Sequence, residues 1–414
     1  MEHRVAVTGM GIISPIGNNI NEFWNNLKNG VCGIDYIKGW DDFDLPVKIA
    51  GQVKEFNPED FEIEKSTARK ADRFTLFAIA AAYQAMKDSG LISGTNVDPD
   101  RLGVYIGSGI GGMTTFVNES KKLYEEGVTR ISPLFIPMMI SNMASGEVAI
   151  KYNAQGVCLP IVTACATGTH SIGEAFRAIK HGYADAMIAG GTEAAVHPLA
   201  IGGFNNSKAL SRATDPKRAS LPFNANREGF VMGEGAGVVV LEDYDRAVAR
   251  GAKIYAEMCG YGNSCDAYHY TAPRPDGSTA ARALSLALKE AGFSEEKDSL
   301  YINAHGTGTP LNDASETTAI KIALGESAAH KALVSSTKSM TGHMLGAAGG
   351  AECIACVLAL ANGEVPPTIG LDQQDTVCDL DCVPNKSRKA NLTIAISNSL
   401  GFGGHNSCIA LRKI

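Results

Sequence analysis

The chain has 414 residues, 45% hydrophobic and only 20% charged, with 45 glycines and a formal net charge of −7. This composition excludes disorder and provides no broad basic surface for nucleic acid or anionic membrane. The opening MEHRVAVTGMG lacks a basic stretch followed by a long apolar run, no window holds the roughly 18 uninterrupted apolar residues of a membrane span, and ten dispersed cysteines read as reduced thiols, so a cytoplasmic protein is expected.

Short β-branched runs alternate with helical stretches, the pattern of an α/β protein with largely parallel sheets. Strands are predicted at 4–8, 102–106, 159–163, 186–189 and 237–241, then at 254–260, 300–304, 332–336, 393–397 and 408–411. The two sets repeat one plan. AYQAMKDSG followed by LGVYIGSGIGG matches LSLALKEAG followed by SLYINAHGTGT, and PIVTACATGTHSIGEAFRAI matches LVSSTKSMTGHMLGAAGGAECI. Two similar halves, 1–252 and 253–414, are therefore expected to pack as a pseudo-twofold unit. The segment near 108–145, with Pro133, Pro137 and several methionines, has no counterpart and reads as an irregular insertion that covers a pocket.

Cys165 stands in TACATG, after an apolar strand and before a helical pattern beginning near Ser171. A sulfur near a helix N-terminus meets partial positive charge and free N–H groups, which favour thiolate and bind a developing oxyanion. The ordinary reading, a small buried thiol, stands beside it. His305 ends the strand YINA in NAHGTGTPLND, where open α/β sheets present functional groups, and Thr307 and Thr309 offer hydroxyls to a polar substrate arm. Lys338 and His343, in STKSMTGHMLGAAGG, are read as occupying the place in the second half that Cys165 holds in the first. Glu316, on the helix after His305, is the expected ion partner of Lys338. In SNSLGFGGHNS, Phe402 lies among glycines that allow positive φ, and its N–H could complete an oxyanion hole.

Competing motifs fail. GMGIISPIG imitates a dinucleotide loop, but Ser14 and Pro15 stand where a third glycine and a helix start are needed. No phosphate loop and no G-x-S-x-G occurs. Cys353 and Cys356 form a C-x-x-C with Cys378 and Cys382 downstream, yet the first pair falls in the helical, apolar GGAECIACVLALA, so no catalytic metal is expected.

TACATG, AHGTGTPLND, TKSMTGHMLGAAG and SNSLGFGGHN, in that order and spanning essentially the whole chain, resemble the type II elongating 3-oxoacyl-acyl-carrier-protein synthases, which are thiolase-like condensing enzymes. The resemblance implies a thiolase-like fold of two duplicated halves in five α-β-α-β-α layers. It implies an acyltransferase of fatty acid biosynthesis that condenses an acyl-Cys165 enzyme with malonyl-carrier protein. Cys165, His305, His343 and Lys338 match its catalytic positions, Glu316 its supporting ion pair, and Cys165 and Phe402 its oxyanion hole. Thr307 and Thr309 match pantetheine contacts, and Ile110, Phe204 and Phe402 acyl-pocket and gate positions. Arg69, Lys70 and Lys208 match carrier docking, with Arg73 nearby in ARKADR. Asn303 and Glu352 match positions near a monovalent K⁺ or Na⁺ in some members. No cofactor is required beyond the 4′-phosphopantetheine on the carrier, and a homodimer is implied. Leu400 stands where many relatives have phenylalanine, and His405 where some have threonine.

Three rivals remain. A type II polyketide ketosynthase shares every catalytic residue. A non-catalytic chain-length subunit lacks the nucleophile, and Cys165 speaks against it. A thiolase needs a second cysteine where this chain has Phe402 and His405, although Cys408 is near.

Overall fold

A computed structural model describes residues 2–414. Nine strands form one hydrogen-bonded sheet: β1 (Val5–Ile13), β2 (Leu102–Gly107), β3 (Ala186–Glu193), β4 (Gly235–Asp243), β5 (Ala256–Cys265), β6 (Leu300–Asn303), β7 (Leu333–Ser335), β8 (Ile394–Gly401) and β9 (His405–Arg412). Their spatial order is β2-β3-β4-β1-β5-β9-β8-β6-β7. Most of these strands are buried along their whole length, so they read as continuous apolar runs.

The order carries the duplication. In the first half β2 and β3 are parallel, and β3, β4 and β1 follow antiparallel. In the second, β6 and β8 are parallel, and β8, β9 and β5 follow antiparallel. The halves meet where β1 and β5 pair antiparallel through Val5–Met258, Ala6–Glu257 and Val7–Ala256. β7, parallel to β6, has as counterpart the segment predicted as a strand at 159–163. That segment is not a strand. It touches β2 through Val104 N to Val157 O (2.8 Å) and Leu159 N to Val104 O (3.1 Å), then runs past the sheet edge with Leu159 and Val162 53% and 49% exposed.

Helices make the remaining layers. α1 (Arg73–Ser89) covers β1 and β4 on one outer face and ends at left-handed Gly90. α2 (Thr167–Lys180) and α5 (Ala348–Asn362) lie between strands of both halves, while α3 (Ser278–Glu290) and α4 (Pro310–Leu324) cover the other side. The glycine-rich start that imitates a dinucleotide loop is strand: a Cβ on Gly11 would lie 1.9 Å from Ala81 O of α1. α2 and α5 also meet through glycine, since a Cβ on Gly168 would lie 2.8 Å from Gly350 N. Leu345–Asn362 is long and apolar enough to cross a membrane by length and composition, but 89% of it is buried inside the fold. Cys353 and Cys356 are wholly buried on α5.

The insertion differs from its expectation. It is largely helical, with Met113–Glu126 and Phe135–Met139. Asp72 Oδ2 accepts from Thr115 N (3.0 Å) and Thr115 Oγ1 (2.6 Å), which draws the segment toward the start of α1. None of residues 108–145 lines the cavity that holds Cys165, described next.

Candidate active site

Cys165 is presented by a strained turn. Ala164 has φ 50°, a conformation unfavourable for a residue with a Cβ, and Ala164–Ala166 forms a 3₁₀ turn leading directly into α2. Thr163 N donates to Thr167 Oγ1 at 2.9 Å, closing the turn. The second half repeats the device: Leu345 has φ 49° and Leu345–Ala347 leads into α5. The counterpart of Cys165 is therefore Gly346. This corrects the expectation that Lys338 and His343 hold that place; they lie earlier, between β7 and the turn, on Lys338–Thr341 and after Gly342 at φ 67°.

Cys165, His305 and His343 line one cavity of about 380 Å³, with Phe204, Thr307, Thr309, Leu400 and Phe402. The imidazoles lie edge to face, ring centres 5.3 Å apart. His305 is held by its backbone: His305 N and Gly306 N donate to Glu316 Oε1 and Oε2 at 2.7 and 2.8 Å. His343 N donates to Val231 O at 2.7 Å, and its ring packs against Phe230. His305 Nδ1 and both ring nitrogens of His343 are buried and have no hydrogen-bond partner among the described residues. Burial holds both imidazoles well below the usual histidine range, and the Lys338 charge adds to it. Both are neutral at pH 7. Burial pushes the half-buried Cys165 thiol up to about 12, while the Lys338 charge and the Phe402 amide act against that rise.

Lys338 is 1% exposed and pairs with Glu352 of α5. The expected pair with Glu316 is thus corrected: both Glu316 oxygens already accept from His305 N, Gly306 N and Asn398 Nδ2. Burial raises the Glu316 carboxyl to about 7 against those bonds. Glu352 was legible as the one charge in GGAECIACVLALA, which in a buried helix demands a partner.

The β8–β9 hairpin turns through Gly403 and Gly404, at φ 89° and 78°, and carries Phe402 to the cavity. Gly401 is required, because a Cβ there would lie 2.6 Å from Thr163 O and 3.3 Å from Cys165 N. Thr307 and Thr309 hydroxyls lie 3.0 Å apart in the wall. Phe204 packs on Phe230 and Phe402, whereas Ile110 is 36% exposed and outside the cavity wall. Lys208 stands at the cavity; Arg69 and Lys70 are exposed and do not line it. Arg73 leaves the basic patch, because it pairs with Glu234 at 2.9 Å and lies over Phe77. Glu193, missed by sequence reasoning, ends the apolar strand AMIAGGTE, and that position was its only signal.

Residues 2–247 match the family model Beta-ketoacyl synthase, N-terminal domain, and residues 255–372 match Beta-ketoacyl synthase, C-terminal domain. The chain is 52% identical over 410 residues to a 3-oxoacyl-acyl-carrier-protein synthase 2 of Staphylococcus aureus, covering 99% of this chain and 98% of the relative. A protein of the same name from Synechocystis is 51% identical over 411 residues, with the same coverage. Among solved structures, a beta-ketoacyl synthase from Burkholderia phymatum superposes with a TM-score of 0.91 at 32% identity, over 100% of both chains. A type II PKS ketosynthase, in complex with its acyl-carrier protein and bound to the hexaketide, superposes with a TM-score of 0.90 at 36% identity, again over 100% of both. These neighbours share the thiolase-like architecture described above.

Proposed function

The chain belongs to the beta-ketoacyl synthase family, and we propose that it extends fatty acyl chains on acyl carrier protein by decarboxylative condensation. The convergence of Cys165, His305 and His343 on one cavity, with Lys338 behind them, carries this reading. The Cys165 sulfur attacks an acyl-carrier thioester, and the carrier thiol leaves. Thioester exchange is close to balanced in energy, so the demands are an ionised sulfur and a stabilised oxyanion. The N-terminus of α2 and the Lys338 charge favour the first, and the Cys165 and Phe402 amides supply the second. Malonyl-carrier protein then binds along Thr307 and Thr309 and loses carbon dioxide. The enolate forms against His305 and His343, whose neutral rings donate hydrogen bonds to its oxygen. Its carbon attacks the acyl-Cys165 carbonyl, and collapse returns the thiolate and releases 3-oxoacyl-carrier protein.

Lys208, with Arg69 and Lys70, receives the acidic carrier, and Phe204, Phe402 and Ile110 contact the acyl chain. The apolar edge at 157–163, next to a β2 that lacks a full ladder partner, supports a homodimer built through that edge. Asn303 Oδ1 and Glu352 Oε2 are buried oxygens without partners among the described residues, which supports a monovalent K⁺ or Na⁺ near these two residues. We infer a cytoplasmic enzyme. A polyketide role is the second reading, supported by the ketosynthase neighbours but at lower identity than the 3-oxoacyl synthases.

The half-reactions test the assignment. Cys165→Ala should form no acyl-enzyme and not condense, yet still decarboxylate malonyl-carrier protein. His305→Ala or His343→Ala should accumulate acyl-enzyme while decarboxylation falls by roughly 10² to 10⁴. Condensation by Cys165→Ala, or wild-type decarboxylation in both histidine variants, refutes it.

A further inference from the structure

Glu193 is fully buried at the end of β3, and each of its oxygens accepts two hydrogen bonds. Oε1 accepts from Ser108 Oγ (2.7 Å) and Ile110 N (3.2 Å), and Oε2 from Gly109 N (2.9 Å) and Gly346 N (3.1 Å). Burial pushes the Glu193 carboxyl above the usual range, and the four converging donors act against that rise and favour the carboxylate. Its donors come from both halves: Ser108–Ile110 leave β2, and Gly346 is the second-half counterpart of Cys165.

The contacts continue to the nucleophile. A Cβ on Gly346 would lie 2.6 Å from Gly109 N and 2.9 Å from Glu193 Oε2, so the carboxylate draws the two glycines into direct contact. Gly109 in turn lies against Ala164: a Cβ there would be 3.4 Å from Ala164 O and 3.6 Å from its Cα. Ala164 is the residue at φ 50° that precedes Cys165, and such a conformation persists only where its surroundings fix it.

We propose that Glu193 is a positioning residue for Cys165, clamping Gly109 and Gly346 beneath the strained turn so that the sulfur is held where acyl transfer requires it. The proposal rests on Cys165 being the acyl-carrying nucleophile. An electrostatic role would run the wrong way, because a nearby anion disfavours thiolate and contributes to the raised Cys165 thiol. The carboxylate serves geometry against that cost.

This opposition makes the test specific. Glu193→Gln removes the anion, and whichever way its amide turns, an NH₂ group faces at least one backbone N–H donor. Acyl transfer from acyl-carrier protein to Cys165, read by intact mass, should fall roughly 10- to 100-fold, as expected for about 1 Å of misplacement. Decarboxylation of malonyl-carrier protein should stay within about threefold. The pH midpoint for alkylation of Cys165 by iodoacetamide should move down, because the thiolate forms more easily although transfer is slower. A merely structural role would lower both half-reactions together, and that result overturns the proposal. So does unchanged acyl transfer. Ser108→Ala, which removes one donor and keeps the charge, should slow acyl transfer by a smaller factor with an unmoved midpoint. If Glu193→Gln does not fold, normal transfer by Ser108→Ala is enough to overturn it. A wild-type enzyme with no adduct on Cys165 would instead remove the underlying reading of the nucleophile.

Discussion

Replacing Lys338 by methionine keeps the length of the side chain and deletes the charge that Cys165, His305, His343 and Glu352 feel. Lys338 and Glu352 are 1% and 2% exposed, so the variant strands a carboxylate that water cannot reach. Removing one partner of a buried pair costs about 3–5 kcal/mol. The cost depends on pH. Burial already raises the Glu352 carboxyl, and Lys338 is what opposes that rise. In Lys338→Met the carboxyl moves further up and binds a proton in the folded state. A raised folded pKa contributes stability that is present below the unfolded value and lost as pH rises through the folded one. The penalty relative to wild type should therefore be small near pH 5.5 and grow toward the full amount near pH 8, read by urea unfolding. The chemistry shifts too. Loss of the cation raises the Cys165 thiol, slowing its alkylation at a given pH, and lets His305 and His343 move back toward the ordinary value. The acid limb of malonyl decarboxylation should then rise in pH. Lys338→Met/Glu352→Gln removes the stranded anion and should recover most of the lost stability. A penalty below about 1 kcal/mol near pH 8, or alkylation as fast as wild type, would refute the coupling.

Gly401→Ala forces a methyl toward Thr163 O, 2.6 Å away, and Cys165 N, so acyl transfer should fall about 10²- to 10³-fold while decarboxylation persists; a loss under threefold refutes the assigned oxyanion hole. Because His305 and His343 have folded pKa values well below the unfolded 6.5, stability should be fully present above that value and decline as pH falls below it. Urea midpoints that stay flat in that window for wild type, and match those of a His305→Gln/His343→Gln double variant, refute the neutral assignment. Arg69→Glu with Lys70→Glu should weaken carrier binding at low salt and matter less at high salt, and unchanged affinity at low salt removes the patch. Leu159→Asp with Val162→Asp should give a monomer by light scattering, and a persistent dimer would move the interface elsewhere.

The fold was legible because its strands are buried apolar runs whose spacing repeats, so nine of ten predicted strands exist and only their ends differ. The tenth failed for a physical reason. The run at 157–163 has the composition of a strand, but composition does not say whether an edge finds a partner within the same chain. The chemical residues were legible by type, because Cys165, His305 and His343 stand in glycine-bearing turns that follow apolar runs. Their pairing was not. Glu316 is closer in sequence to His305, yet its carboxylate is consumed by two backbone amides, and the acid that meets Lys338 comes from α5 through tertiary packing. Glu193 escaped for the same reason, since its donors come from segments more than 80 and 150 residues away.

The duplicated turns explain why a twofold protein has one reactive centre. Both turns use a residue at φ near 50° to aim the next position at the middle of the molecule. In the first half that position is Cys165. In the second it is Gly346, and a Cβ there would meet Gly109 N and Glu193 Oε2 at 2.6 and 2.9 Å. No nucleophile can stand at 346 while the carboxylate clamps the first turn. The space that a second active cysteine would need is occupied by the device that fixes the first, and the second half contributes His305, His343 and Lys338 instead. On the proposed roles, acyl transfer centres on Cys165 of the first half and decarboxylation on His305 and His343 of the second, while Gly401, Phe402 and Lys338 of the second half reach across to the nucleophile, so substitutions there should touch acyl transfer as well.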